Sequence, residues 1–234
     1  MTLVCGVDGC RQGWVSVSND LASGRYSWCV VSSLRDLVSS ARPPDVIAVD
    51  VPIGLPDSGA RECDVEARRL LGAGRASSVF PAPIRPVLSA RTHAEANAAR
   101  EAAEGKRVSI QTWAIIPKIR EVDLALRTDA ALRLRVREVH PEVCFFFMAD
   151  KRPMQHSKKK RAGREERRTA LSRQLGPVVD RVLGEVRLPT CGQDDVLDAF
   201  AALWTAKRIV SGQAVILPAI PGHDRFGLPM EMVA

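Results

Sequence analysis

A chain of 234 residues, 46% hydrophobic and 26% charged, has an ordinary globular balance and is long enough to bury a core without staples. No apolar run approaches the roughly 20 residues of a membrane-spanning helix, and Met1 to Asp8 show no basic stretch followed by an apolar one. Neither a membrane span nor a signal peptide is expected, and the six cysteines (Cys5, Cys10, Cys29, Cys63, Cys144, Cys191), scattered without a CxxC pair, argue against structural zinc and a disulfide framework. Reduced thiols in a cytoplasm are the simple expectation. The net charge of +7 is local: Lys151 to Arg168 holds nine Lys/Arg and two Asp/Glu, which leaves 25 of each sign elsewhere.

In chain order, Leu3-Val4-Cys5-Gly6-Val7 is an apolar run ending on Asp8, and Gly9 and Gly13 mark a turn. Trp14 to Ser18 alternates as a strand should, and after turn residues Asn19, Asp20 and Gly24, Tyr26 to Val31 reads as a third strand. Short turns make these an antiparallel meander. Ser32 or Ser33 can cap a helix over 34–41, which Pro43-Pro44 ends. Val46-Ile47-Ala48-Val49, ending on Asp50, is continuously apolar and suits a parallel strand buried on both faces. Helices are expected at 62–71, 91–105 and 117–133, and a fifth strand at 135–140, closed by Pro141-Glu142. The basic stretch 151–168 reads as part loop and part helix running to about 183. Asp194 to Ile209 is strongly helical. The expected fold is a single α/β domain: three antiparallel strands, then parallel strands, flanked by helices. A helical insertion (about 52–134) lies between the fourth and fifth strands. This is the order of the ribonuclease H-like fold.

Asp8 and Asp50 each close a strand, where open α/β sheets place their ligands; capping a turn is the ordinary alternative for Asp. On the last helix Asp195 and Asp198 are three apart and share a face, whereas Asp194 suits the positive end of the helix dipole. Four clustered carboxylates repel by about 4 kcal/mol per close pair at an effective dielectric of about 20. Oxygen donors without His or Cys favour Mg²⁺ or Mn²⁺. A pair of such ions suits hydrolysis of a phosphodiester.

Several segments together resemble the domain-of-unknown-function 429 family: Gly6-Val7-Asp8-Gly9-Cys10-Arg11-Gln12-Gly13-Trp14, Val49-Asp50-Val51-Pro52-Ile53-Gly54, Ser77-Ser78-Val79-Phe80-Pro81, Gln111-Thr112-Trp113, Pro117-Lys118-Ile119-Arg120, Glu138-Val139-His140-Pro141-Glu142 and Gly227-Leu228-Pro229-Met230-Glu231. Members are regarded as predicted nucleases of ribonuclease H-like fold. Asp195-Val196-Leu197-Asp198-Ala199 is also similar to the DxxDA of Holliday-junction resolvases of that fold, in which both acids hold metal. The resemblance implies metal ligands Asp8, Asp50, Asp195 and Asp198. The resolvases usually carry Glu where Asp50 stands, so Glu142 or Asp194 is available to complete the set.

The leading expectation is a Mg²⁺- or Mn²⁺-dependent, two-metal nuclease acting on DNA or RNA. Its catalytic carboxylates would be Asp8, Asp50, Asp195, Asp198 and Glu142, with His140 weighed as a base. Arg11, Lys118, Arg120, Lys158, Lys159, Lys160 and Arg161 are candidate nucleic-acid contacts; without aromatic neighbours the basic run would grip phosphates with little sequence choice. The rivals are an inactive nucleic-acid- or protein-binding module of the same fold and an ATP-dependent phosphotransferase. The latter normally carries a second Gly-rich phosphate loop, which this chain lacks.

Overall fold

The first ten residues set the centre of the sheet in this computed structural model, which describes residues 2–186 and 190–234. β1 (Leu3–Cys10) turns back at Arg11-Gln12 into β2 (Gly13–Asp20), which pairs with β3 (Tyr26–Val31). α1 (Leu34–Val38) begins at Ser33, whose side chain accepts from the Asp36 amide while Asp36 reaches back to Ser33 N–H. This reciprocal cap satisfies two of the donors a helix start leaves open. The chain then crosses to β4 (Val46–Val49), which lies parallel to β1 with Val7 opposite Val49.

Then follow α2 (Glu62–Arg75, interrupted at Gly72), α3 (His93–Glu104), α4 (Ile110–Thr128) and α5 (Ala130–Arg135). β5 (Val136–Glu138), parallel to β4, completes a sheet of order β3-β2-β1-β4-β5. The mixed five-stranded sheet and the helical segment between its fourth and fifth strands are as expected. α6 (Pro141–Met148), α7 (Arg161–Leu175), α8 (Val178–Glu185) and α9 (Gln193–Val210) come next, and a separate hairpin of β6 (Ile216–His223) and β7 (Pro229–Val233) ends the chain.

Three elements depart from the sequence reading. α4 starts at Ile110, seven residues before the expected start, because Ser109 caps it by accepting from the Thr112 amide; the helix runs on through Pro117. α6 was not expected: His140 Nδ1 accepts from the Glu142 amide at 3.2 Å, and Pro141 fills the first helical position, where no N–H is needed. The β6–β7 hairpin was not expected either.

Contacts group the chain into two units. The first comprises 1–50, 134–215 and 233–234; the second comprises 51–133, the stretch read as an insertion, together with 216–232. In the first unit α9 lies across β1, β2 and β4 and is flanked by α6, α7 and α8. Covered on all sides, it is buried continuously from Val196 to Ala206. The close approach depends on Gly6: a Cβ there would stand 2.1 Å from Ala199 O and Leu203 N of α9. Gly6→Ala is therefore expected to push α9 off β1 and destabilise the chain by about 3 kcal/mol, the upper range for overpacking, as read by urea denaturation.

In the second unit, buried ion pairs fasten irregular backbone. Arg85 joins Asp123 (2.8 Å) and Asp224, and Asp224 also accepts from the amides of Leu55, Phe226 and Leu228. Arg61 holds Asp64 at 2.5 Å, and Asp64 accepts from the Ala82 amide. These buried charges are paired with one another, as buried charges must be, while Arg85 Nε is left without a hydrogen-bond partner among the described residues. No helix among the described residues is long and apolar enough to cross a membrane.

Candidate metal centre

Side chains alternate along a strand, so Gly6 and Asp8 share the face of β1 that α9 covers. The parallel register sets Val7 beside Val49, and the Asp50 amide continues the ladder by donating to Val7 O at 3.0 Å. Asp8 and Asp50 are thereby neighbours at the ends of adjacent parallel strands. With α9 seated on Gly6, its second turn carries Asp198 over both. Asp8, Asp50 and Asp198 each offer an oxygen, and these oxygens lie within 4.8 Å of one another.

Two of the three are shielded from water, Asp198 being 1% exposed and Asp8 8%, while Asp50 is half-buried. Burial, followed by repulsion from Asp50 and Asp198, lifts the Asp8 carboxyl well above its ordinary range. Burial and Asp198 push Asp50 up to about 7, with Lys158 opposing and Glu142 adding to the rise. Asp198 is raised by burial despite the cation beside it. These are acids that a low-dielectric site resists ionising without a counter-charge.

One counter-charge is built in. Lys158 Nζ pairs with Asp198 Oδ2. Burial works against the Lys158 cation, but Asp198, Asp8 and Asp50 outweigh it and hold its pKa above the usual lysine value. Asp198 Oδ1 remains buried with no hydrogen-bond partner among the described residues. Oxygen ligands of a hard cation at ~2.1–2.5 Å stand at most ~5 Å apart. The spacing, the all-carboxylate donor set and the orphaned oxygen therefore make Asp8, Asp50 and Asp198 a group that could hold a metal ion.

The other candidates are placed differently. Asp195 stands apart from the trio: its Oδ2 accepts from the Gly192 amide at 2.8 Å and closes the start of α9. It is still near enough for its charge to add to the rise at Asp8. Asp194 lies in the same first turn. Glu142 is buried on α6 and paired through Oε1 with Arg167, while its Oε2 has no hydrogen-bond partner among the described residues. His140 caps α6 through Nδ1.

Among the basic candidates, Arg11 is exposed at the β1–β2 turn, and Lys159, Lys160 and Arg161 are exposed before and at the start of α7. Lys118 and Arg120 belong to α4 in the second unit, where Arg120 donates to the carbonyls of Leu88 and Ala90. Sequence reasoning missed the inward turn of the basic run. Arg167 is 1% exposed and donates to Glu142, His156 O and Gly163 O. A glycine inside so charged a helix, four residues before Arg167, was the available signal. Arg167→Met would leave Glu142 as an unpaired buried charge and is expected to cost about 3–5 kcal/mol. Adding Glu142→Gln should recover a substantial part of that loss, which a double-mutant cycle by denaturation would measure.

The family model described as "Protein of unknown function (DUF429)" matches residues 6–223. The chain belongs to the DUF429 family. No curated protein and no solved structure matches it significantly. The DUF429 match takes in all three converging aspartates as well as Glu142, Lys158 and Arg167. Chemistry must therefore be argued from the site itself.

Proposed function

We propose that this DUF429 protein is a metal-dependent nuclease that hydrolyses phosphodiester bonds of DNA or RNA on a ribonuclease H-like sheet. The observation that carries this reading is the convergence of Asp8, Asp50 and Asp198, from two adjacent strand ends and one helix, within 4.8 Å. The strand order β3-β2-β1-β4-β5, antiparallel and then parallel, supports the fold half of the proposal. A Mg²⁺ or Mn²⁺ ion bound there would supply Lewis-acid activation of water and of the scissile phosphate.

The protein's own groups do the rest. Asp8 and Asp50, on rigid neighbouring strands, set the position of the site. Asp198 closes it from the side of α9. Lys158, its side chain 42% exposed, presents a cation to an anionic substrate while remaining tied to Asp198. The exposed Lys159, Lys160 and Arg161 continue that positive surface and suit contact with a phosphate backbone.

The test is cleavage of labelled single-stranded, duplex and branched DNA and of RNA, with Mn²⁺ and with EDTA. Mn²⁺-dependent products are expected on at least one substrate. Binding without cleavage on every substrate would replace this reading with that of a nucleic-acid-binding module.

A further inference from the structure

A small cavity of about 200 Å³ opens in the second unit, where the end of α4 meets the turn between β6 and β7. It is lined by Leu124, Arg127, Thr128, Arg133 and Phe226. Both of its sides are firmly built. Asp224 closes the turn by accepting from the Phe226 amide at 2.8 Å and the Leu228 amide at 3.0 Å, and it pairs with buried Arg85. Arg85 also reaches Asp123 of α4 at 2.8 Å, so one buried guanidinium ties the helix to the turn. Phe226 thereby sits among three guanidiniums: Arg127, Arg85 and Arg225 lie 3.6, 4.7 and 5.2 Å from its ring centroid. A ring so occupied is a rest for cations rather than a platform for stacking a base.

The two cations that line the cavity are each tethered and still have donors to give. Arg127 donates through Nη1 to Asp123 at 3.3 Å. Arg133 donates through Nε to Leu126 O at 3.1 Å, and its outer nitrogens have no hydrogen-bond partner among the described residues. Arg85, Arg127 and Arg225 each pair with a carboxylate, whereas Arg133 makes no ion pair among the described residues. Asp129, the nearest acid to it in sequence, is exposed and spends Oδ1 on the Leu132 amide at the start of α5.

Pockets that enclose whole drug-sized ligands begin at roughly 300 Å³, so this one suits a single compact group. Guanidinium forks match oxyanions. A carboxylate has two oxygens and satisfies one fork; a phosphate has enough to engage two forks from different sides. We propose that the cavity is a phosphate-binding site, in which Arg127 and Arg133 hold one phosphate group and Phe226 orients Arg127. The site uses none of the residues of the metal centre and does not depend on the nuclease reading.

The experiment uses the full chain in EDTA, titrated calorimetrically with inorganic phosphate and followed by anisotropy with a fluorescent DNA oligonucleotide. Wild type is compared with Arg133→Gln, Arg133→Lys and Arg107→Gln, the last removing a charge whose side chain is 76% exposed in the same unit. Wild type is expected to bind at one site per chain, and acetate at the same concentration is expected not to compete. Arg133→Gln should weaken binding by roughly tenfold or more, Arg133→Lys by several-fold because the fork is lost, and Arg107→Gln should leave it unchanged. Circular dichroism checks folding, and if Arg133→Gln does not fold, Arg133→Lys decides. An Arg133-dependent loss with the oligonucleotide assigns the phosphate to a nucleic-acid backbone, and one with inorganic phosphate alone assigns it to a free anion. Binding of neither probe, binding that Arg133→Lys leaves unchanged, an equal loss in Arg107→Gln, or displacement by acetate overturns the proposal.

Discussion

Asp8→Asn is expected to reduce Mn²⁺-dependent cleavage by roughly 10³-fold or more while leaving the chain folded. Losing a carboxylate ligand forfeits several kcal/mol of charge stabilisation, and each 1.36 kcal/mol is a factor of ten in rate. The fold should survive because Asp8 contributes strain rather than cohesion. Its carboxyl is raised by burial and by three neighbouring acids, so a neutral amide of the same shape relieves repulsion. Asparagine also keeps an oxygen able to accept from the Gly9 amide, as Asp8 Oδ1 does at 2.7 Å. Circular dichroism melts without metal should therefore give a melting temperature equal to or above that of the wild type. Wild-type rates in the variant would remove Asp8 from the chemistry, and a collapsed melt would make it a structural residue.

The second large effect concerns pH. Asp50 has a folded pKa of about 7, above the ~3.9 of an unfolded aspartate, so the native state holds this proton more tightly than the unfolded one. Below about pH 4 both states are protonated and nothing is lost. Between about pH 4 and pH 7 the unfolded chain ionises first, and native stability falls with rising pH. The loss belongs to the coupled acids together rather than to Asp50 alone. Asp8 and Asp198, also raised, act in the same direction. Lys158, held above the usual lysine value, stays charged throughout this window. The metal-free chain is thus expected to melt progressively lower from pH 4 to pH 7, and added Mn²⁺ to restore stability by an amount that grows over the same range. Thermal melts at four or five pH values, with and without Mn²⁺, provide the check. A pH-independent metal-free melt would mean that the three acids do not confront one another in solution.

Much of this site is legible in the sequence because strand ends and helical spacing are local. Asp8 and Asp50 each close an apolar run, and the parallel crossover makes such ends neighbours. Asp195 illustrates the limit of spacing arguments. Three residues apart on a helix puts it on Asp198's face, but the third helical position is also where an acid can cap the helix start, and that demand took it. Lys158 and Arg167 were hidden for another reason. Their partners lie 40 and 25 residues away, and a run of lysines and arginines carries no sign of which members turn inward.

The missed elements have equally physical causes. α6 is buried almost throughout, so PEVCFFFM shows no polar face to betray its period. Pro218 and Pro221 in ILPAIPGH argue against a strand, yet proline is tolerated where its missing N–H is not called upon by a neighbour. Pro117 posed the converse problem, since it reads as the start of a helix that in fact begins at Ile110.

The seating of α9 on Gly6 has a consequence for biosynthesis. Asp8 and Asp50 leave the ribosome early, whereas Asp198 belongs to the final long helix and reaches them only once α9 has packed on β1. A nascent chain thus carries at most two of the three ligands for most of its synthesis. The three-carboxylate cluster is therefore complete only when the sheet and its last helix have met.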